Sequence, residues 1–340
     1  MCWCNLAGQF VRPEIGLTIV RDVKLVPVSD FERPIFSVAL SPNFLLDRQC
    51  FAAGPSGLLR SNDGGQTWKY AISSETPVPV LAVVLSPDYG RDGILFAGIS
   101  GGVLRSWDFG KTWAWAAVGA PPATVSCLAV SPSFGADSLV LAGTNEGGIF
   151  RSTDRGTTWQ SINFGLLDQL VLCVSMSPAF ATDEMVVVGV NSGIFRSKNG
   201  GRAWRETAFS NDAAPVLCMA AASNFVQKGT IYAGTEAAGL FVSDDRAQSW
   251  SPIGVGQLTG SINAVVLDAD FETRPHLLVA TEAGLFLSYD GGAAWTVGAP
   301  IANILSLAAE NGRLDEGRGR VLAGLSTGGV RWVDASSSIS

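Results

Sequence analysis

The sequence predicts an all-β fold: a seven-bladed β-propeller made of four-stranded antiparallel blades. Three observations carry this reading. An octet of the form S-x-D-x-G-x-x-W recurs six times, with serines at 61, 106, 152, 197, 243 and 288, so the steps are 45, 46, 45, 46 and 45 residues. A fixed period in that range marks a repeat array, and four short strands per period fit one propeller blade. Helical periodicity is absent along the 340 residues. Finally, a column of small residues, Ser37, Ala82, Cys127, Cys173, Cys218, Ala264 and Ser306, counts seven inner strands against six octets.

Taken in chain order, residues 1–16 read as an N-terminal extension and 17–334 as a single propeller domain. The segment "LTIVRDVKLVPV", 17–28, is a strand in surplus, preceding the first inner strand. Each following unit has the grammar of the third, "VSCLAVSPSFGADSLVLAGTNEGGIFRSTDRGTTWQSI". An apolar strand spans 125–130, "SPSF" turns the chain, and a second strand follows at 139–143. A Gly-rich turn leads to a third strand at 148–152, and the octet turns into a fourth at 158–162. All four are rich in β-branched and large apolar residues and bounded by Gly, Pro, Asn or Asp. The seventh unit ends "AGLSTGGVRWVDASSSIS" with no octet, and 335–340 reads as a polar tail. The surplus at the start and the deficit at the end predict that 17–28 closes the ring as outer strand of blade seven, since an open ring would leave a strand edge unpaired.

The octet reads as structure. Gly65, Gly110, Gly156, Gly201 and Gly292 suit a turn position needing positive φ. Asp63, Asp108, Asp154, Asp245 and Asp290 can accept turn N–H groups, as can Ser61, Ser106, Ser152, Ser197, Ser243 and Ser288. Trp68, Trp113, Trp159, Trp204, Trp250 and Trp295 offer apolar surface to seal blade against blade. Two copies depart, with Asn199 for Asp and Ala247 for Gly, and less regular turns are expected there.

Composition narrows the function classes. Lys and Arg number 23 against 30 Asp and Glu, a net charge of −7 with basic residues spread along the chain, which disfavours nucleic acid and anionic membrane. Apolar runs such as "VPVLAVVL" are far shorter than the roughly 20 residues of a membrane span. "MCWCNLAGQFVRPEIG" lacks a basic region followed by a continuous apolar one, so a cytoplasmic location is expected, with secretion if the natural chain is longer. Three of the six cysteines stand in the small-residue column and read as buried free thiols near the axis, neither bridged nor ligating metal. Cys50 starts a predicted strand, and Cys2 and Cys4 form a C-x-C near the terminus.

The S-x-D-x-G-x-x-W octet resembles the Asp-box, or BNR, repeat, over about residues 60–334. The repeated S-P-x-F/Y-x-x-D, from Ser41 to Asp47, Ser86 to Asp92, Ser131 to Asp137 and Ser177 to Asp183, resembles BNR-like proteins of bacteria. Asp-box propellers include sialidases, xyloglucanases, sortilin-type receptors and a photosystem II assembly factor, so the resemblance implies a fold without a function. A sialidase-like site would need an arginine cluster and a Tyr–Glu pair on the face opposite the octets. The loops assigned to that face, 54–57, 99–102, 144–148, 190–193, 235–239, 281–284 and 325–329 with the connections between blades, contain no Arg. Arg60, Arg105, Arg151 and Arg196 precede the octets, on the wrong face, and their repetition implies a structural or solvated role.

A glycosidase working through two carboxylates has candidates in Glu75, Glu146, Asp168, Asp212, Glu236 and Glu282, all readable as solvated turn residues. The xyloglucanase resemblance would also imply a second propeller forming the cleft, which this chain lacks. "GKT", 110–112, lies inside an octet and not between a strand and a helix, so it is no phosphate loop. His276 is the sole histidine, which argues against a zinc cluster and His-based catalysis. The favoured reading is a non-catalytic scaffold that binds a protein partner and needs no cofactor or metal. The alternative is a carbohydrate-active glycoside hydrolase of the Asp-box type. The candidate binding rim is Asn145, Glu146, Asp168, Glu236 and Glu282, with no catalytic residue assigned.

Overall fold

Each repeat folds into one antiparallel sheet whose strands follow chain order outward from a common axis. The computed structural model describes residues 25–26, 33–72, 77–299, 301–314 and 319–334. Seven such sheets form a ring, a seven-bladed β-propeller. Blade three is representative, with strands Val125–Val130, Val140–Thr144, Ile149–Ser152 and Gln160–Ser161 paired in that order. The second strand is buried at every position in blades one to six, as in Val186–Val190 of blade four. A strand covered on both faces has no solvent side for polar alternation, hence runs such as "VVVGV".

The apolar core is divided into seven layers, one between each pair of neighbouring blades. What sets the blade spacing is the small-residue column together with a second one facing it. Cys127 pairs with Gly143, Cys173 with Gly189 and Cys218 with Gly234. A Cβ on Gly143 would lie 2.5 Å from Cys127 Sγ and 2.7 Å from Cγ1 of Val171, on the inner strand of the next blade. The missing side chain is the space into which the next blade packs. The register shifts just before the small residue in blades two to seven, a bulge that twists the inner strand locally.

Turns between first and second strands contain a short helix that the sequence does not announce, for example Phe44–Asp47 and Phe134–Asp137. In blades one to four the S-P-x-F/Y-x-x-D spacing clasps it, and blade five forms the same turn at Phe225–Lys228 without that clasp. The serine hydroxyl donates to the aspartate six residues on, at 2.6 Å for Ser41–Asp47 and 2.7 Å for Ser86–Asp92, and closes a single helical turn.

Closure differs from the expectation. Of 17–28, only Leu25 and Val26 are described, and they pair with Lys69 and Trp68 on the outer strand of blade one. Blade one therefore has five strands, and blade seven has three among the described residues: Ile304–Ala309, Arg320–Leu325 and Val330–Asp334. The ring is instead closed by the same means that join other blades. The Ile35 N–H donates to Leu325 O at 2.9 Å, Trp332 Nε1 donates to Gly64 O at 2.8 Å, and Val38, Phe44 and Trp68 pack with Leu322 and Val330. Any open strand edge accepts a further strand, and the seam between blades one and seven already has its own packing. The predicted extension at 1–16, Cys2 and Cys4, Glu75 and the tail at 335–340 lie outside the described residues.

Candidate functional site

The octet is a closed hydrogen-bond unit. In blade three, Ser152 Oγ donates to Asp154 Oδ1 at 2.8 Å and accepts the Gly156 N–H at 2.8 Å. The same Asp154 oxygen accepts the N–H groups of Thr157 and Thr158, each at 2.9 Å, and its second oxygen accepts the Thr158 hydroxyl at 2.6 Å. Two successive residues take positive φ, 58° at Arg155 and 77° at Gly156. Burial pushes the Asp154 carboxyl up, but donors from Thr158, Ser152 and Thr157 outweigh it and hold the group at about 2, against an ordinary 3.8. Asp245 is held at about 2 by the balance of burial against Ser249, Ser243 and Gln248. Asp63 and Asp108 are lowered in the same way, and Asp290 chiefly by the Ala294 N–H. These carboxylates are committed to their own turns.

The two departing copies keep the frame of the turn, although Asn199 Oδ1 does not accept the N–H three residues ahead as the aspartates of blades one, two, three and five do. Asn199 Oδ1 accepts the Ser197 hydroxyl at 2.8 Å and the Ala203 N–H at 2.9 Å. Ala247 takes φ 57°, and its N–H reaches Ser243 Oγ at 3.0 Å. The expected irregularity is limited to that one bond, because an amide oxygen accepts as a carboxylate oxygen does, and a buried alanine can be held in the left-handed region at modest cost.

The tryptophans join blades as expected. Trp113 Nε1 donates to Ala71 O at 2.9 Å and Trp204 Nε1 to Ile162 O at 2.7 Å, each on the preceding blade. Two of the four arginines of the column also rivet neighbours, while Arg60 bonds Asn62 of its own octet. Arg105 donates to Arg155 O and Thr157 Oγ1, and Arg196 to Arg246 O at 3.1 Å, so each reaches the octet of the next blade. Octets and helical turns share one face, tied by bonds such as Arg155 N–H to Ser138 O at 3.1 Å.

The opposite face carries the predicted rim. In blade three the buried Thr144 hydroxyl donates to Gly148 O at 2.8 Å, and in blade five Thr235 donates to Gly239 O at 2.8 Å. These anchors leave Asn145, Glu146, Glu236 and Glu282 exposed just after the threonine. Glu146 Oε1 accepts the Thr124 N–H at 3.1 Å. Asp168 is half-buried and ties the connection between blades three and four to a turn of blade four, accepting the Leu170 N–H at 2.9 Å and the Ser192 N–H at 2.8 Å. Among the described residues, no hydrogen bond or ion pair joins any two of these five. No group of three or more His, Cys, Asp or Glu among the described residues could hold a metal, and no helix among them is long and apolar enough to cross a membrane.

Cys50, Cys127, Cys173 and Cys218 are free thiols. Cys127, Cys173 and Cys218 are half-buried by surface exposure, although the thiols themselves sit deep among the inner strands. Burial pushes Cys127 and Cys218 up to about 12 and Cys173 well above its ordinary value, which leaves all three unreactive. His276 stacks edge-on against Tyr289 at 5.0 Å, with its Nδ1 buried and without a hydrogen-bond partner.

One feature escaped sequence reasoning. The basic residues are not evenly spread: Arg196, Lys198, Arg202 and Arg205 fall within ten residues containing no Asp or Glu. Three of them line a hollow of about 500 Å³ in the wall between blades three and four. The signal available was the Asn at 199.

No protein-family model and no curated protein matches the chain by sequence. Solved structures match by fold. A GH74 xyloglucanase from Xanthomonas campestris is 18% identical with a TM-score of 0.69, covering 93% of this chain but 56% of its own. The chain therefore spans little more than half the length of that enzyme. YCF48 from Cyanidioschyzon merolae is 17% identical with a TM-score of 0.65, covering 92% of this chain and 98% of its own. A structure of YCF48 bound to a D1 peptide is 16% identical with a TM-score of 0.64. At these identities the likeness is one of fold.

Proposed function

We propose that this chain is a non-catalytic Asp-box propeller, a rigid scaffold whose loop-face rim receives a basic or polar surface of a protein partner. The observation that carries this reading is the commitment of the carboxylates. Those of the octets are bound into their own turns, Asp168 is taken up by two N–H groups of blade four and its lead-in, and Glu146, Glu236 and Glu282 stand exposed on separate loops without a joined pair. General acid and base work on a glycosidic bond needs two carboxyl groups placed across that bond. The likeness to YCF48 over nearly the whole of both chains, and its peptide-bound structure, support the reading by analogy.

Charge reversal at Glu146 and Glu236, to Lys, is the test. Capture of the partner from native extract should fall about tenfold, with stronger loss at low salt and an unchanged melting temperature. Turnover of aryl glycosides that disappears on Glu236→Gln or Glu282→Gln would replace this reading with the glycoside hydrolase.

A further inference from the structure

We infer that the wall hollow between blades three and four is a second binding site, for an acidic peptide segment carrying an apolar side chain. The inference rests on the reading of the chain as a protein-binding scaffold, but it concerns a different surface and the opposite charge.

The hollow holds about 500 Å³, enough for a few side chains. Arg196, Lys198 and Arg205 line it, and no carboxylate does. Lys198 and Arg205 are exposed, while Arg196 is half-buried with one nitrogen bonded to Arg246 O. Arg202 is turned away, paired with Glu184 at 2.7 Å. At the edge stands Phe164, 79% exposed, on the connection from blade three, whose carbonyl accepts the Trp204 N–H at 2.9 Å. An exposed aromatic ring fixed beside three cations matches a ligand with carboxylates next to an apolar group. A bare phosphate would leave the ring unused.

This is not a property of the repeat. The same three positions are Arg151, Thr153 and Gln160 in blade three, and Val242, Asp244 and Ser251 in blade five. Blade four is also the one octet without its aspartate. Asn199 lines the hollow and reproduces the bonds to the Ser197 hydroxyl and the Ala203 N–H, so the turn is kept while its negative charge is removed. The position that supplies a threonine or serine hydroxyl to the aspartate in blades one, two, three and five is here Ala203, so no donor calls for a second carboxylate oxygen. An aspartate at 199 would place an anion among the three cations. In a chain of net charge −7, its absence leaves these three cations uncompensated within the hollow.

The test is binding of a short synthetic peptide of Asp, Glu and Phe to the full chain, followed by fluorescence anisotropy at low and at physiological salt. The acidic peptide should bind at least about tenfold tighter than a Lys and Phe peptide of equal length, with affinity falling as salt rises. Asn199→Asp should weaken it by about tenfold with the melting temperature unchanged, and Arg205→Glu, on an exposed outer strand, should do the same. Phe164→Ala should weaken it by a few-fold. Equal binding by wild type and by both charge variants overturns the inference, as does displacement of the peptide by equimolar inorganic phosphate, which would mark a bare anion site. The rim variant Glu146→Lys with Glu236→Lys separates the two readings. Peptide binding that survives there and is lost in Asn199→Asp supports the wall site whatever becomes of the rim. Peptide binding that is lost only in the rim variant overturns it.

Discussion

In blade three the octet turn is closed by Asp154, and in blade four by Asn199. Both side chains accept the serine hydroxyl at 2.8 Å and the N–H four residues ahead at 2.9 Å. The two turns differ in charge and in two hydrogen bonds to the side chain, from the Thr157 N–H and the Thr158 hydroxyl to Asp154, where blade four has Arg202, whose N–H goes to the Asn199 backbone carbonyl, and Ala203. The difference separates two properties that the repeat normally couples. The acceptor oxygen holds the turn, and the charge is free to vary with what the adjacent surface is for.

The comparison breaks first at the shared serine. Ser152→Ala and Ser197→Ala each leave a buried glycine N–H, at 156 or 201, without its acceptor, at a cost of about 1–3 kcal/mol. Denaturant titration should give similar losses for the two. A much smaller loss in blade four would mean that its turn is held by something other than this unit. The next effect is at the acid itself. Asp154→Asn exchanges a charge-assisted acceptor for an amide and should cost about 1 kcal/mol. The reverse change, Asn199→Asp, combined with Ala203→Thr, rebuilds the blade-three arrangement and should stabilise blade four by a fraction of that. Calorimetry on the four variants tests both signs.

The smallest effect is in the pH dependence. Asp154 is held at about 2 against an ordinary 3.8, so the stability it contributes is complete above the ordinary value and is lost as pH falls toward 2. Asn199 does not titrate, and the turn of blade four keeps its bonds through that window. Melting temperature against pH should therefore fall more steeply for Asn199→Asp than for wild type, and less steeply for Asp154→Asn. Parallel curves would show that these exposed carboxylates do not couple to global stability.

Fold was legible because it repeats. The inner strand of blade three, 125–130, and the roles of the octet serine, aspartate and glycine follow from spacing and turn chemistry. The partner of the N-terminal segment was not legible. Without that segment the strands Trp68–Tyr70 and Val330–Asp334 would both offer an outer edge, and apolar pattern alone does not say which edge a further strand joins. The basic hollow was hidden for another reason. Its cations belong to one turn, but they become a site only beside Phe164 of the preceding blade, a neighbour that no pattern within one repeat reveals.

The bond from Trp332 to Gly64 spans 268 residues, whereas Trp113 and Trp204 each reach back 42. Six of the seven seams are thus made between consecutive repeats, and one joins the last to the first. A chain leaving the ribosome can lay each blade against its predecessor almost as soon as it emerges, because loops that short are quick to close. The seventh seam must wait for the whole chain. Until then blade one presents Val38, Phe44 and Trp68 as an uncovered apolar wall. The period most exposed to misassembly in the making of this molecule is therefore the interval between its first blade and its last.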